Sequence, residues 1–413
     1  MWAFFILLFS ISFYFAASPE PAKSSSAITS LKTFLDTNPK SLTALKDKDF
    51  TTLPLSKSDA VTARKLLWNA HASIIKSDRQ KEIKDRLLKE NNLEMPFDFK
   101  TFGKKPDKGW SLWISLHGGG GAPKQVNDSQ WNNQKKLYSL DEGIYLSPRA
   151  PTNTWNLWHE PHIDRFFNRL IEDLIVLEEV NPERVYILGY SAGGDGVYQL
   201  APRMADHWAA AAMMAGHPNG VSLLSLRNLP FALQVGENDS AYNRNKVGAE
   251  YADQLKQLHK LDRNGYQNFS KIHPGKGHWM NLEDKEALPW MAKFSRNSLP
   301  DKIVWKQSGP PNDRFYWLAC PIQNVNNGSL VTASRNKQQI NIDSTEKISK
   351  LIVRLDDRML DLDSPVIINY LGKEIYKSIP PRTITTMLNS LLGRGDPTLI
   401  FDAEVSLDIP TAK

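Results

Sequence analysis

Short apolar runs alternate with amphipathic stretches through the middle of the chain. Continuous apolar runs predict buried strands, whereas apolar residues spaced three and four apart predict helices. The strand-like runs are 95–102, 111–117, 144–147, 185–188, 209–214, 231–235 and 269–273. The helix-like stretches are 163–180, 195–201 and 244–261. Because strands that alternate with helices build parallel sheets, this region predicts an α/β fold, a mostly parallel sheet covered by helices.

The N-terminal part of the chain has a different pattern. Residues 19–30 are rich in Ala, Ser and Pro and predict a mobile linker, and residues 31–92 have mostly helical spacing. Ser56 begins a capping box, the start signal of one helix, and a second, strongly charged helix is expected on the surface at 79–90. Residues 19–92 are therefore predicted to be a linker and helical extension.

After residue 298 strand-like runs predominate, with one helix at 384–392. These runs are 303–305, 315–318, 329–334, 339–342, 351–355, 366–371 and 399–409. Many short strands with few helices are typical of a sandwich. The predicted organisation is thus an α/β domain at 93–298 followed by a β-rich accessory domain at 299–413.

The first residues resemble a secretory leader. The apolar run 4–17 is shorter than the roughly 20 residues that a membrane span needs, and it ends in small residues. We expect a signal peptide at 1–18, a secreted or periplasmic protein, and no stable membrane span after cleavage. No Lys or Arg precedes the run, so an uncleaved anchor is the alternative. Cys320 is the only cysteine, which excludes an intrachain disulfide and fits a bacterial periplasm or exterior.

Composition is that of a globular protein, and charge indicates no nucleic-acid partner. The chain has 413 residues, of which 41% are hydrophobic and 23% charged. Its net charge of +6 is spread along the sequence and forms no basic block. The sequence does not predict an oligomeric state.

The pentapeptide Gly189-Tyr190-Ser191-Ala192-Gly193 carries the first chemical signal. It follows the strand-like run 185–188 and precedes a predicted helix. A G-x-S-x-G turn between strand and helix places its serine above the sheet as a nucleophile. Ser191 is therefore the predicted nucleophile, and the alternative is an ordinary glycine-rich connection.

A serine nucleophile needs donors that stabilise the developing oxyanion. One predicted donor is the backbone N–H of Ala192, directly after the nucleophile. The other is expected in the glycine run 118–121, which follows an earlier strand. Gly119 is the first choice and Gly118 the second, while His117 is expected to orient the loop rather than act as a base.

The serine also needs a base, and the base needs an acid that orients it. His278 lies on a glycine-containing loop after 269–273, the last predicted strand of the α/β region, and is the predicted base. His273, at the strand end, and His217 are the alternatives. Asp239, on the turn after the run 231–235, is the predicted acid, with Glu237 as its alternative.

Together these residues resemble the α/β-hydrolase superfamily, especially bacterial secreted esterases of the polyhydroxybutyrate depolymerase and feruloyl esterase type. The matching segments are 116–120, 181–186, 189–194, Gly236 with Asp239, and Gly277 with His278. The resemblance covers residues 95–297, about half of the chain. It implies nucleophile Ser191, acid Asp239 and base His278, in the order of that superfamily.

No cofactor or metal is expected for such a reaction. The sequence has no zinc-binding H-E-x-x-H motif, cysteine cluster or dinucleotide fingerprint. The acidic segment 356–363 invites a calcium interpretation, but it lacks the EF-hand spacing. Because Arg354 and Arg358 can pair with these acids, a solvated turn is the preferred interpretation.

Aromatic residues near the predicted site suggest a substrate-binding wall. Trp131, Trp155 and Trp158 follow strands whose C-terminal ends should carry the pocket, although they could equally anchor loops. The leading hypothesis is a secreted serine hydrolase that cleaves a small or polymeric carboxylic ester, carbohydrate-linked, aromatic or polyhydroxyalkanoate. The alternatives are a serine peptidase of the same fold and a non-catalytic polymer-binding protein on a hydrolase scaffold.

Overall fold

The computed structural model describes residues 21–410. The signal peptide expected at 1–18 lies outside the described residues and stays a prediction. Within residues 21–410, no helix combines the length and the apolar composition needed to cross a membrane.

The elements follow in chain order. The helices are α1 (Pro21–Thr37), α2 (Lys57–Asp78), α3 (Gln80–Asp85), α4 (Lys124–Gln134), α5 (Pro161–Leu177), α6 (Ala192–Arg203), α7 (Arg244–Leu261), α8 (Ala287–Met291) and α9 (Ile384–Arg394). The strands of the first sheet are β1 (Leu87–Glu90), β2 (Leu93–Phe102), β3 (Trp110–Leu116), β4 (Gly143–Pro148), β5 (Val180–Tyr190), β6 (Ala210–Met214), β7 (Phe231–Gly236) and β8 (Asn268–His273). The later strands are β9 (Lys302–Lys306), β10 (Arg314–Phe315), β11 (Leu318–Ala319), β12 (Leu330–Asn336), β13 (Gln339–Glu346), β14 (Lys350–Leu355), β15 (Val366–Tyr370), β16 (Lys373–Ser378) and β17 (Ala403–Asp408).

The first sheet has the strand order β1-β2-β4-β3-β5-β6-β7-β8. Strands β3 to β8 pair in parallel, whereas β1 and β2 pair antiparallel at one edge. The seven strands predicted for this region are β2 to β8. This order, with an antiparallel second strand, is that of the α/β-hydrolase fold and confirms the predicted fold class.

Alternation along β5 divides the core into two layers. Val185 and Ile187 face the apolar cluster that contains the buried faces of α5 and α6. Tyr186, Leu188 and Tyr190 face the cluster that contains α8. Because successive side chains on a strand point to opposite faces, one strand joins both layers and ends at the turn that carries Ser191.

The expected linker is wrong from residue 21 onward, where α1 begins. Ser24 is fully buried, and its hydroxyl donates to the Asp59 carboxylate and accepts the N–H of Ser56 at 2.8 Å. Ser56 caps α2 as predicted. The small side chains that suggested a mobile segment instead allow α1 to pack closely.

The helix expected at 79–90 is wrong in its second half. Helix α3 ends at Asp85, Arg86 adopts a left-handed conformation with φ 52°, and β1 then pairs with β2 through a hairpin at Asn91. Leu88 is fully buried in the sheet core. Its burial fixes this segment as an edge strand, although its charged neighbours favour a helix.

The N-terminal helices share a core with the C-terminal part of the chain. Leu31 of α1, Leu67 of α2 and Leu391 of α9 belong to one apolar cluster, separate from those of the first sheet. Arg64 of α2 also pairs with the carboxylates of Asp356 and Asp402. Helices α1 and α2 therefore depend on α9 for burial, and α9 depends on them.

The C-terminal region contains two further sheets, ordered β10-β11-β14-β17 and β16-β15-β13-β12-β9. Their inner faces contribute to one apolar cluster, the arrangement of a β-sandwich. The run 315–318 is divided between β10 and β11 by a left-handed Tyr316, and the strand expected from 399 begins only at Ala403. Strand β16 was not predicted, because it is mostly charged and exposed.

Candidate active site

Ser191 lies in the turn between β5 and α6, at the carboxyl end of the parallel strands. Its φ of 58° and ψ of −123° are rare for a residue other than glycine. A Cβ added to Gly193 would lie 2.1 Å from the carbonyl oxygen of Leu116, so the turn requires glycine there. The N–H of Ser191 donates to the Met214 carbonyl at 2.9 Å, which ties the strained turn to β6.

A continuous hydrogen-bond chain joins Ser191, His278 and Asp239. Ser191 Oγ lies 2.9 Å from His278 Nε2, and His278 Nδ1 lies 2.8 Å from Asp239 Oδ2. The carboxylate accepts the Nδ1 proton, so Nε2 is free to accept the serine proton. Asp239 is 2% exposed, whereas the His278 side chain is 42% exposed, so the chain runs from the interior to an open surface.

Two loops are fastened together to make this geometry. Asp239 follows β7, and His278 follows β8. A Cβ on Gly236 would lie 2.1 Å from the Gly277 oxygen, so a glycine at the end of β7 lets the histidine loop approach. The N–H of Asn238 then donates to the carbonyl before Gly277 at 2.7 Å. Asp239 and His278 are thus held by backbone contacts between adjacent strand ends.

Arg244, the first residue of α7, lies behind the acid. Its Nη1 is 3.8 Å from Asp239 Oδ1, and its guanidinium lies 4.8 Å from the centre of the Tyr242 ring. Arg244 is 9% exposed. The positive charge of Arg244 therefore lies beside the buried carboxylate that holds His278.

The alternative base and acid residues lie outside the hydrogen-bond chain. His273 is fully buried, and its Nε2 lies 2.8 Å from Gln234 Oε1. His217 binds a neighbouring asparagine. Glu237 accepts the N–H of Gly275 at 2.7 Å and so braces the histidine loop.

The glycine loop after β3 lies against Ser191. A Cβ added to Gly118 would lie 3.2 Å from Ser191 Cβ. The loop is held by Asn127 of α4, whose Oδ1 accepts the N–H of Gly120 at 2.8 Å and whose Nδ2 donates to the Ala122 carbonyl at 2.9 Å. Asn127 is fully buried. It acts as a clamp that shapes the loop from its far side.

His117 fixes the direction of one peptide in this loop. Burial lowers the pKa of His117 to about 4, so the ring is neutral. Nε2 accepts the N–H of Ala150 at 3.1 Å, and Nδ1 therefore donates to the Gly118 carbonyl at 2.6 Å. In a trans peptide the N–H points opposite to the C=O, so the N–H of Gly119 points away from His117. The N–H groups of Gly119 and Ala192 are the candidate oxyanion donors, with Gly118 beside them.

Two of the three tryptophans expected near the pocket anchor loops. Trp158 is fully buried, and its Nε1 donates to the His117 carbonyl at 3.0 Å. Trp131 donates from Nε1 to the Ser147 carbonyl at 2.9 Å. Their indole N–H groups are used for structure.

Two other tryptophans, one beside the glycine loop and one in the histidine loop, are exposed. Trp155 is 63% exposed, and its Cβ lies 3.5 Å from a Cβ built on Gly121. Trp279, directly after His278, is 49% exposed. Met280 is the fully buried anchor.

One cavity lies away from this chemistry. It has a volume of about 610 Å³ and is lined in part by Asp141 and Arg184, near the starts of β4 and β5. Ser191 follows the opposite end of β5. This cavity therefore does not include Ser191, Asp239 or His278.

The acidic segment 356–363 is neutralised by arginines. Arg358 pairs with Asp356 at 2.7 Å and Arg382 with Asp357 at 2.6 Å. Arg354, which was expected to pair here, instead lies 3.9 Å from a glutamate of β17. Within residues 21–410, no group of three or more His, Cys, Asp or Glu side chains is arranged to hold a metal ion.

Sequence reasoning missed Asn127, Arg244 and Tyr190, whose hydroxyl donates to the His278 carbonyl at 2.7 Å. Asn127 and Arg244 lie on helices outside any spaced motif. Arg244 could have been found from the predicted start of its helix, five residues after Asp239. Tyr190 lies inside the pentapeptide, but the motif assigns no role to that position.

No family model matches the chain, and no curated protein matches it. A thermostable esterase has a similar structure, with 20% identity and a TM-score of 0.41; the match covers 51% of this chain and 64% of that one, less than two thirds of its length. The feruloyl esterase module from Clostridium thermocellum, solved with sinapinate, is 15% identical with a TM-score of 0.37, over 51% of this chain and 87% of that chain. Poly(aspartic acid) hydrolase-1 from Sphingomonas is 14% identical with a TM-score of 0.38, over 50% and 96% of the two chains.

At these identities and TM-scores, the likenesses carry no argument about substrate or mechanism. The fold assignment rests on the strand order, the antiparallel second strand and the turn after β5. The chain has the α/β-hydrolase fold and resembles esterases of that fold.

Proposed function

We propose that this protein is a serine hydrolase that cleaves carboxylic esters through an acyl-enzyme. The observation that carries the proposal is the hydrogen-bond chain from Ser191 through His278 to the buried Asp239, with distances of 2.9 and 2.8 Å. Such a chain lowers the barrier to deprotonating a hydroxyl group, which is otherwise a weak nucleophile.

In the proposed reaction, Ser191 Oγ attacks the ester carbonyl carbon while its proton moves to His278 Nε2. Asp239 holds the imidazole by its Nδ1 proton and stabilises the imidazolium that forms. The tetrahedral intermediate collapses, and Nε2 gives its proton to the departing alcohol. Water then attacks the acyl-enzyme with His278 as base, releasing the carboxylic acid and restoring the serine.

The oxyanion of each tetrahedral intermediate is proposed to lie between the N–H groups of Ala192 and Gly119, with Gly118 as the alternative. The hydrogen bond from His117 to the Gly118 carbonyl supports this choice, because it turns the next N–H away from His117. Fixed donors of this kind contribute about a hundredfold to a thousandfold to the rate.

Labelling with a fluorophosphonate probe tests the nucleophile. We expect labelling of the folded protein at Ser191, loss of labelling in Ser191→Ala, and strong loss in His278→Gln. The matched control is His273→Gln, which removes a histidine outside the hydrogen-bond chain and should keep labelling. Undiminished labelling of Ser191→Ala, or no labelling of the unaltered protein, would refute the proposal.

A substrate panel tests the reaction class. Acetyl, feruloyl and polyhydroxyalkanoate esters are compared with matched amides. We expect hydrolysis of at least one ester with a higher kcat/KM than its amide. Preference for the amide in every pair would replace the esterase proposal with a peptidase, and binding without turnover would indicate a polymer-binding protein.

A further inference from the structure

The hydroxyl group of Tyr190 joins the turn that carries Ser191 to the loop that carries His278. Its oxygen donates to the His278 carbonyl at 2.7 Å and accepts the N–H of Met280 at 3.0 Å. These are the two peptide groups on either side of Trp279. One hydroxyl therefore closes the turn of the histidine loop and uses both its donor and its acceptor capacity.

The Tyr190 ring holds the same loop by packing. Its centre lies 6.0 Å from the His278 ring at an interplanar angle of 73°, an edge-on contact. It lies 5.6 Å from the centre of the Trp279 indole ring, at an interplanar angle of 51°. Tyr190 is the last residue of β5 and is 8% exposed, so it belongs to the rigid sheet.

The first part of the histidine loop is held by hydrogen bonds from Asn238 N–H to the Lys276 carbonyl and from Gly275 N–H to Glu237. A Cβ added to Gly275 or to Gly277 would meet no atom within 4 Å. Beyond Met280, Asn281 and Leu282 both have positive φ angles, 55° and 64°, which marks a sharp turn. The contact with Tyr190 lies between these two parts of the loop and holds the peptide groups next to His278.

We propose that Tyr190 is a positioning residue that sets the approach of His278 Nε2 to Ser191 Oγ, an inference that rests on the proposed function. Tyr190 is bonded through the backbone to Ser191 and through its hydroxyl to His278. The positions of both reacting side chains are therefore fixed relative to Tyr190. A reacting pair that is out of place by about 1 Å can lose about a hundredfold in rate, so this tie is expected to act on kcat.

Tyr190→Phe removes only the hydroxyl, and Tyr266→Phe is its matched control. Tyr266 is 5% exposed and donates to the Leu224 carbonyl at 3.0 Å, so it loses a comparable buried hydrogen bond away from the site. Both variants are measured for thermal unfolding, for kcat and KM on a soluble ester, and for the rate of fluorophosphonate labelling.

We expect Tyr190→Phe to lower kcat and the labelling rate by about tenfold or more, with KM changed by less than about twofold. Tyr266→Phe should lose similar stability and keep kcat. Equal kcat in Tyr190→Phe and the unaltered protein, or an equal loss in both variants, would overturn the inference. Failure of the unaltered protein to be labelled would instead refute the proposed function, and this inference with it.

Hydrogen exchange of the unaltered protein tests the tie without any substitution. The amide of Met280 should be protected nearly as well as those of β5, because it donates to a hydroxyl group that the sheet holds. Exchange as fast as that of an unstructured peptide would show that the tie does not hold the loop.

Discussion

Gly119→Ala is the sharpest probe of the oxyanion loop, because the structure gives both the collision and the strain. An added Cβ would lie 2.3 Å from Asn127 Oδ1, the atom that accepts the N–H of Gly120. The φ of Gly119, 101°, is also unfavourable for alanine. We expect about 1–2 kcal/mol for the backbone strain and about 1 kcal/mol for the displaced hydrogen bond, together about 2–3 kcal/mol of stability.

Gly121→Ala is the matched control in the same loop. Its φ is 57°, and the added Cβ would make only an ordinary contact of 3.5 Å with Trp155 Cβ. This variant should cost about 1 kcal/mol of stability. The difference between the two variants isolates the collision with Asn127 from the strain of a left-handed alanine.

The assay combines thermal unfolding with kcat and KM on a soluble ester. Alanine keeps the backbone N–H, but the collision with Asn127 displaces it. If the Gly119 N–H binds the oxyanion, Gly119→Ala should therefore lower kcat about a hundredfold or more and change KM little, because the interaction is made in the transition state. Gly121→Ala should keep kcat within about threefold. Full activity of Gly119→Ala would refute the donor assignment, and equal losses in both variants would show that general loosening of the loop is responsible.

Four further outcomes are expected. Asp239→Asn should lower kcat about a thousandfold or more, since the amide favours the wrong imidazole tautomer, and should change stability little. Unchanged activity would exclude Asp239 as the acid. Desolvation lowers the pKa of His117 to about 4, below its unfolded value, so the free energy of unfolding should fall by about 3 kcal/mol for this group as pH decreases from about 6.5 to 4. Denaturant titrations at several pH values should show that His117→Gln takes up about one proton less on unfolding than the unaltered protein. The same dependence of unfolding free energy on pH in both proteins would contradict this. Leu31→Asp should destabilise the protein by about 3 kcal/mol or more, whereas Val61→Asp, at a position 60% exposed, should not; equal melting temperatures would contradict the shared core. Trp155→Ala should raise KM for bulky esters and leave acetyl ester hydrolysis unchanged, and an equal effect on both would argue against a substrate contact.

The arrangement around Ser191 could be anticipated because it obeys local rules. A strand followed by a tight turn and a helix leaves few backbone conformations, and Gly189 and Gly193 are read directly from the sequence. The ends of neighbouring parallel strands meet at one edge, so residues after β7 and β8 come near Ser191 wherever the exact strand limits lie. The proximity of Asp239 and His278 to Ser191 follows from that topology.

The choice between His273 and His278 required the structure. The two histidines are separated by five positions and both lie close to the predicted end of a strand. His273 is the last residue of β8 and points into the core towards Gln234, whereas His278 lies on the loop beyond it. Strand limits predicted from a sequence are uncertain by a few residues, which is comparable to this separation.

The residues that support the site could not be found in the same way. Asn127 reaches the glycine loop because α4 packs beside it, and its amide satisfies backbone groups that depend on the loop conformation. Nothing in the sequence around Asn127 differs from a polar surface helix. Contacts of this kind depend on the packing of whole elements, so sequence periodicity carries no signal for them.

The core shared by α1, α2 and α9 limits what a deletion variant of this protein can show. The buried faces of α1 and α2 lie in one apolar cluster with α9, and Arg64 of α2 pairs with Asp356 and Asp402. Removal of residues 299–413 would therefore expose that cluster and leave the guanidinium of Arg64 without these two carboxylates. Loss of activity after such a deletion would therefore not distinguish the exposure of the shared core from the loss of a polymer-binding surface. Substitutions on the exposed face of the β-rich region, such as at Leu371, which is 61% exposed, can test binding while leaving the shared core intact.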